Sequence, residues 1–175
     1  MTPLGGALLG MAVVVVDVRV NGFDLILDPA GWAILAFAVG RLSAVDGWFR
    51  AAAAFAWVGV LAAVPVVTTA EATAPRWVAD LTLLLQSAVL FSMCTAMIRH
   101  LPAGHPGRRW LDPVRWVDLG ATLAVYLLTP FGDVGALLAV VGLLAFVVAA
   151  VVFVVITWTL RAEPPFASPR RMVPA

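Results

Sequence analysis

Residues 133–160 read DVGALLAVVGLLAFVVAAVVFVVITWTL, and Asp133 is the only charged side chain in this stretch. A helix needs about 20 predominantly apolar residues to cross the hydrocarbon core of a bilayer, which is about 30 Å thick. This stretch is longer than that and stays apolar to its end. It therefore predicts a membrane-spanning helix.

Five further apolar stretches precede this one. They cover approximately residues 3–18, 29–42, 48–69, 75–98 and 113–129. The third and fourth are long enough to span a bilayer, whereas the first, second and fifth are short and would have to thin it locally. The pattern predicts an all-α, polytopic transmembrane helical bundle of about six spans. Its first two stretches form either a full hairpin or a shallow one shielded by its neighbours.

The sequence indicates one domain and a tail. Residues 1–161 are expected to form a single transmembrane domain. Residues 163–171 read EPPFASPRR, and their three prolines and lack of periodicity predict a disordered cytoplasmic tail over residues 162–175. Within the first stretch, Gly6 and Gly10 have a spacing that lets membrane helices pack closely.

The composition excludes several classes of protein. The chain is 63% hydrophobic and 12% charged, whereas about a quarter of a typical soluble domain is charged. Its net charge of +1 argues against nucleic-acid binding, which needs a basic face that neutralises several phosphates. Cys94 is the single cysteine, so no disulfide framework or thiolate metal site is expected. We predict no metal and no cofactor.

The arginines predict the orientation, because positive charge accumulates in cytoplasmic connections. With six spans and a cytoplasmic N-terminus, the outer connections contain only Arg19 and Arg76. The inner connections and tail contain all the others: Arg41, Arg50, Arg99, Arg108, Arg109, Arg115, Arg161, Arg170 and Arg171. This distribution predicts a plasma-membrane protein with both chain ends in the cytoplasm.

Most of the acidic residues have a structural explanation as helix N-caps. Four aspartates stand just before a predicted helix start, where an N-cap is expected, and two of them precede a proline. They are Asp28, Asp46, Asp112 and Asp133. Asp80 could pair with Arg76 and Asp118 with Arg115, each on its own helix. If the protein is an enzyme, Asp17, Asp24 and Asp80 at the outer face are the candidate acids or bases.

A polar stripe runs along the fifth stretch. Asp118, Thr122, Tyr126 and Thr129 stand at positions i, i+4, i+8 and i+11, which share one helix face. Gln86 in the fourth stretch, with Thr82 and Ser87 beside it, lies at a level where it can face this stripe. The stripe either forms ordinary hydrogen bonds between helices or lines a small cavity or path.

The segment between the first two stretches, residues 17–32, reads DVRVNGFDLILDPAGW. Asn21-Gly22 indicates a turn, over which Arg19 can reach towards Asp24 or Asp28. The segment resembles an Asp-x-Arg-x-x-Gly-Phe-Asp-Leu-x-x-Asp hairpin motif of a family of small bacterial multi-pass membrane proteins. The resemblance covers less than a tenth of the chain, and Leu27 and Trp32 stand where the family's longer pattern has proline and tyrosine. It implies a bacterial inner-membrane protein and no particular activity.

Two functions remain open. The first is a non-enzymatic helical bundle that handles a small solute or lipid, or that assembles with itself or with a membrane partner protein. The absence of the known enzyme signatures and the polar stripe favour this function. The alternative is a membrane-embedded enzyme that acts on a lipid or isoprenoid through the outer-face aspartates. In both cases membrane lipid is an expected partner.

Overall fold

The computed structural model describes residues 1–15, 19–20, 23–24, 28–68, 76–128 and 132–167, which form six helices and one short pair of strands. Strands β1 (Arg19–Val20) and β2 (Phe23–Asp24) pair antiparallel, with Arg19 opposite Asp24. The predicted Asn21-Gly22 turn lies outside the described residues. The helices are α1 (Pro3–Val15), α2 (Asp28–Gly40), α3 (Gly47–Thr68), α4 (Arg76–His100), α5 (Pro106–Leu128) and α6 (Gly132–Leu160).

Three helices are long and apolar enough to cross a membrane, and the predicted helical bundle is present. The qualifying segments are Gly47–Val64 in α3, Asp80–His100 in α4 and Val140–Leu160 in α6. Helices α1 and α2 are apolar but have only 13 residues each, or about 20 Å at 1.5 Å per residue. Helix α5 has 23 residues and carries several charges in its first half.

Helices α1 and α2 pack against each other backbone to backbone. A Cβ atom on Gly6 would lie 2.9 Å from the Cβ of Ala38, and one on Gly10 would lie 2.5 Å from the backbone nitrogen of Leu35. These distances are shorter than van der Waals contact, so a larger residue at position 10 would collide with backbone. Because residue 6 meets 38 and residue 10 meets 35, the two helices are antiparallel. The predicted close packing at these glycines is confirmed.

The helices form a closed ring. Each helix packs against the next one along the chain, and α6 returns to contact α1. The α1–α6 contact involves fewer residues than any other contact of this ring. Trp32 of α2 is fully buried and packs face-on against Gly59 of α3, where a Cβ would lie 2.4 Å from the indole ring.

Polar contacts hold one end of the bundle together. Asp46, between α2 and α3, lies 3.6 Å from Arg99 and 3.2 Å from His100 at the end of α4. His105, just before α5, lies 3.5 Å from Glu163, just after α6. The ends of α2, α4 and α6 therefore lie together. Since α1 is antiparallel to α2, the start of α1 lies at this end as well.

This end of the bundle is basic. The start of α1 and the end of α6 both lie at this end of the bundle. Arg76 begins α4 and lies at the opposite end. The described arginines at the basic end are Arg41, Arg50, Arg99, Arg108, Arg109, Arg115 and Arg161.

Helix α5 begins earlier than the sequence predicted, so the prediction that Asp112 is an N-cap is wrong. The helix begins at Pro106, and the backbone N–H of Gly107 donates to Nδ1 of His105 at 3.1 Å. Leu111 is fully buried and holds the extra turns against the bundle. Asp112 lies within the helix, where it pairs with Arg115 at 2.5 Å.

The other predicted caps have different outcomes. Asp46 accepts a hydrogen bond from the backbone N–H of Trp48 at 2.8 Å, which confirms it as the N-cap of α3. Asp28 is the first residue of α2, at the position expected of a capping residue. The side chain of Asp133 lies outside the described part of the chain.

Residues 162–167 differ from the predicted disordered tail. They form turns after α6, and Phe166 is fully buried with its ring edge-on to Phe49 at a centroid distance of 6.2 Å. A single aromatic residue inserted into the core is enough to order a short segment, and sequence periodicity does not reveal it. Residues 168–175 lie outside the described residues.

Replacement of Gly10 by alanine should destabilise the protein. The added methyl group would meet backbone atoms of α2, and overpacking of this kind typically costs about 1–3 kcal/mol. Gly120→Ala is the matched control, because a Cβ there has no neighbour within 4 Å and alanine favours the helix by about 1 kcal/mol. We expect a lower melting temperature in detergent for Gly10→Ala alone; equal melting temperatures would contradict the described packing.

Candidate functional site

The bundle contains a cavity of about 330 Å³ that is partly open to the outside and is lined by five of the six helices. Nearly all its lining side chains are apolar. Leu8 and Met11 contribute from α1, Leu35 from α2, Val89 from α4 and Phe153 from α6. Three side chains with polar atoms also line it, namely Trp32, Gln86 and Asp118. The cavity is therefore an apolar chamber with a few polar groups in its wall.

Asp118 is the only charged residue among the described residues that line the cavity, and it is fully buried. The hydroxyl of Ser87 on α4 donates a hydrogen bond to its Oδ2 at 2.6 Å. The hydroxyls of Ser87 and Thr122 also lie 2.6 Å apart, and both side chains are buried. Ser87 of α4 therefore contacts the polar stripe of α5 between Asp118 and Thr122, which are four residues apart.

The hydrogen bonds in this cluster have one direction when Asp118 is ionised. A carboxylate only accepts, so the single hydroxyl proton of Ser87 points to Asp118. Thr122 must then donate to Ser87, whose oxygen still has lone pairs free. The resulting series runs from Thr122 through Ser87 to Asp118, and it fixes the orientation of the carboxylate.

Two buried polar atoms of cavity-lining residues have no hydrogen-bond partner within the described part of the chain. They are Oδ1 of Asp118 and Nε1 of Trp32. One is an acceptor and the other a donor. Burying such a group without a partner costs about 1–3 kcal/mol, and more when the group is charged. Most buried polar groups are paired with protein or ordered water, so each of these two atoms has the capacity for one further hydrogen bond.

Arg115 does not neutralise Asp118, so the predicted local ion pair is wrong. Its guanidinium group contacts Asp112 at 2.5 Å and donates to the hydroxyl of Thr95 at 3.1 Å. The Cζ atom of Arg115 also lies 5.4 Å from the ring centroid of Phe91, within cation–π distance. No ion pair reaches Asp118 from the described residues.

Thr122 and Tyr126 of the predicted stripe contact α4 but do not line the cavity. The hydroxyl of Tyr126 donates to the backbone carbonyl of Asp80, near the start of α4. Of the stripe, Asp118 and Thr122 are fully buried and Tyr126 is partly buried. Thr129 lies outside the described residues. Gln86 lines the cavity as a partly buried residue, in agreement with its predicted position.

Asp80 is the only candidate acid of the predicted outer face whose side chain the structure describes, and it does not line this cavity. Asp80 is partly buried, and its contact with Tyr126 is made by its backbone carbonyl. Arg19 and Asp24 are described only as backbone partners in the short strand pair. Asp17 lies outside the described residues. Within the described ranges, no three His, Cys, Asp or Glu side chains are grouped so that they could hold a metal ion.

Sequence reasoning missed most of the cavity. It identified Asp118, Thr122 and Gln86 from helical spacing, whereas it gave no role to Trp32, Leu8 or Phe153. Apolar residues occur all round these helices, so no stripe marks the inward face. Gly59 packs against the Trp32 ring, but the sequence does not show which residue this glycine contacts.

Comparisons with known proteins add no relationship. No protein family, no curated sequence and no solved structure matches the chain.

Removing the Ser87 hydroxyl should destabilise the protein more than removing the Thr122 hydroxyl. Ser87→Ala leaves the buried carboxylate of Asp118 without a donor, which should cost about 1–3 kcal/mol. Thr122→Val removes only a donor to Ser87, so about 0.6 kcal/mol is expected.

The control for this pair is Thr159→Val, because Thr159 bonds only to its own helix, at the carbonyl of Ile156. Its melting temperature should stay near that of the wild type. Melting temperatures in detergent micelles would give the order of stability of these variants. A larger decrease in melting temperature for Thr122→Val than for Ser87→Ala would contradict the direction of the hydrogen bonds.

Proposed function

We propose that this chain is a non-enzymatic bacterial inner-membrane protein that takes an apolar molecule, such as a lipid chain, from the bilayer into its central cavity. The supporting observation is the cavity itself, which is almost wholly apolar and is surrounded by five helices. A hydrophilic solute would find few hydrogen-bond partners there. An apolar chain would find the environment that it leaves in the membrane.

The cavity has a route to the bilayer along the α1–α6 contact. Ala12 of α1 and Val154 of α6 both line the cavity, and both are also exposed on the outside of the bundle. This contact is the smallest in the helix ring. A molecule that enters here moves from lipid to cavity without crossing a polar surface.

The size of the cavity suits one small ligand. Its volume of about 330 Å³ lies at the lower end of the range of about 300–1,000 Å³ that is usual for ligand pockets. A single hydrocarbon chain or a compact apolar molecule fits such a space, whereas a complete two-chain lipid exceeds it.

Asp80, the one candidate acid whose side chain the structure describes, does not support the enzyme alternative. An acid–base enzyme needs its carboxyl groups within hydrogen-bond reach of the reacting atoms. Asp118 is the single carboxylate of the described residues that lines the cavity, and Ser87 already occupies one of its oxygens. Asp80 contributes to the bundle through its backbone.

Filling the cavity should abolish retention of the apolar ligand. Ala150 lines the cavity and is partly buried, whereas the neighbouring Val151 faces outward and is 57% exposed. A photoreactive fatty alcohol in nanodiscs should label residues such as Met11 and Phe153 in the wild type. Ala150→Phe should reduce this labelling at least fivefold and Val151→Phe should leave it unchanged. Equal labelling of both variants would contradict the proposal.

We further propose that all six helices span the membrane and that the basic end of the bundle faces the cytoplasm. The antiparallel packing and the arginines at one end support this arrangement, because cytoplasmic connections collect positive charge. Helices α1 and α2 are short for a span, so they would require local thinning of the bilayer.

Single cysteines would test this orientation. Cys94 is buried, so a membrane-impermeant maleimide applied to intact cells should leave it unlabelled. Ala44→Cys and Ala103→Cys lie in exposed loops at the basic end and should be labelled only after the cells are opened. Ala72→Cys, between α3 and α4, should be labelled in intact cells. Labelling of all three positions from the same side would contradict six spans.

A further inference from the structure

The carboxylate of Asp118 is the one feature of the cavity that a plain hydrocarbon would not use. It is fully buried, it has one oxygen bound by Ser87, and its other oxygen has no partner in the described structure. An ionisable group within a membrane helix costs about 2.5–3.5 kcal/mol by insertion scales. This cost falls when a cation or a hydrogen-bond donor pairs with the group.

The protein does not supply that cation from the described residues. Arg115 is the nearest basic residue along α5, and its guanidinium group is held by Asp112, Thr95 and the ring of Phe91. Ser87 and Thr122 orient the carboxylate but carry no charge. A bound ligand can therefore supply the positive charge that the bundle lacks.

The aromatic residues of the cavity suit the same ligand. Trp32, Phe146 and Phe153 all line it, and their ring faces attract cations, most strongly at tryptophan. Trp32 is fixed in place because its ring rests on Gly59. A carboxylate and three aromatic rings around one apolar space form a typical environment for an organic ammonium group.

We propose that the cavity binds a lipophilic amine, with its apolar body in the chamber and its ammonium group donating a hydrogen bond to Oδ1 of Asp118. This proposal rests on the proposed uptake of apolar molecules and specifies their polar end. The ammonium group pairs with the unpartnered carboxylate oxygen, and the aromatic rings surround the adjacent carbon atoms. Ser87 bonds to Oδ2 alone, so the lone pairs of Oδ1 are left for the ligand, which has to reach an oxygen that is buried in the structure.

The test compares dodecylamine with dodecanol on the full chain in zwitterionic nanodiscs. The two compounds share a hydrocarbon chain, and only the amine is charged at neutral pH, as expected from the pKa of about 10.4 of an alkylamine such as the lysine side chain. Each competes with the photoreactive fatty alcohol for the cavity. We expect dodecylamine to compete at about tenfold lower concentration than dodecanol, which corresponds to about 1.4 kcal/mol.

Asp118→Asn should remove this preference, while Glu163→Gln should keep it. Glu163 is a suitable control because it does not line the cavity, its side chain is 43% exposed and it pairs with His105. The effect of Asp118→Asn on dodecanol should stay within about twofold. If Asp118→Asn does not fold, the preference of the wild type decides alone.

The possible outcomes separate the two proposals. Equal competition by dodecylamine and dodecanol in the wild type overturns the amine site but leaves uptake of apolar molecules intact. A preference for the amine that survives Asp118→Asn also overturns it, because the charge is then recognised elsewhere. If neither compound competes in the wild type, and labelling does not respond to Ala150→Phe, the proposed function itself fails.

Discussion

The close approach of α1 to α2 is the contact on which the rest of the bundle depends. Each of these helices is short, and neither could be held firmly by a few side-chain contacts in a solvent as apolar as the helices themselves. Glycines at residues 6, 10 and 31 leave room for the close approach of the two helices, and at Gly10 backbone meets backbone. The packed pair can then form one wall of a cavity.

The second close contact continues this wall into the bundle. Trp32 projects from the hairpin onto Gly59, and a residue with a side chain at position 59 would push the indole ring away. The ring then stays at the edge of the cavity instead of filling it. The close contacts at Gly10 and Gly59 therefore have the same effect. Both let large side chains pack around the cavity without filling it.

The sequence predicted the helices and part of the site because these depend on local pattern. Long apolar stretches indicated α3, α4 and α6, and helical spacing placed Asp118 and Thr122 on one face. The start of α5 was missed because burial of Leu111 extends the helix beyond the Asp112-Pro113 pair. The partner of Arg115 was missed because two acids, three residues before and three residues after it, compete for one guanidinium group, and only tertiary packing decides between them.

Because α1 and α2 have 13 residues each, they measure about 20 Å, whereas the hydrocarbon core of a bilayer is about 30 Å thick. If both cross the membrane as proposed, the lipids beside them must shorten or tilt their chains, and those lipids are also next to the α1–α6 contact that leads to the cavity. The bilayer is then under strain at the place where a molecule would leave it. Membrane thickness thus becomes a variable in the energetics of uptake, and thicker membranes would favour departure of a chain from the compressed layer.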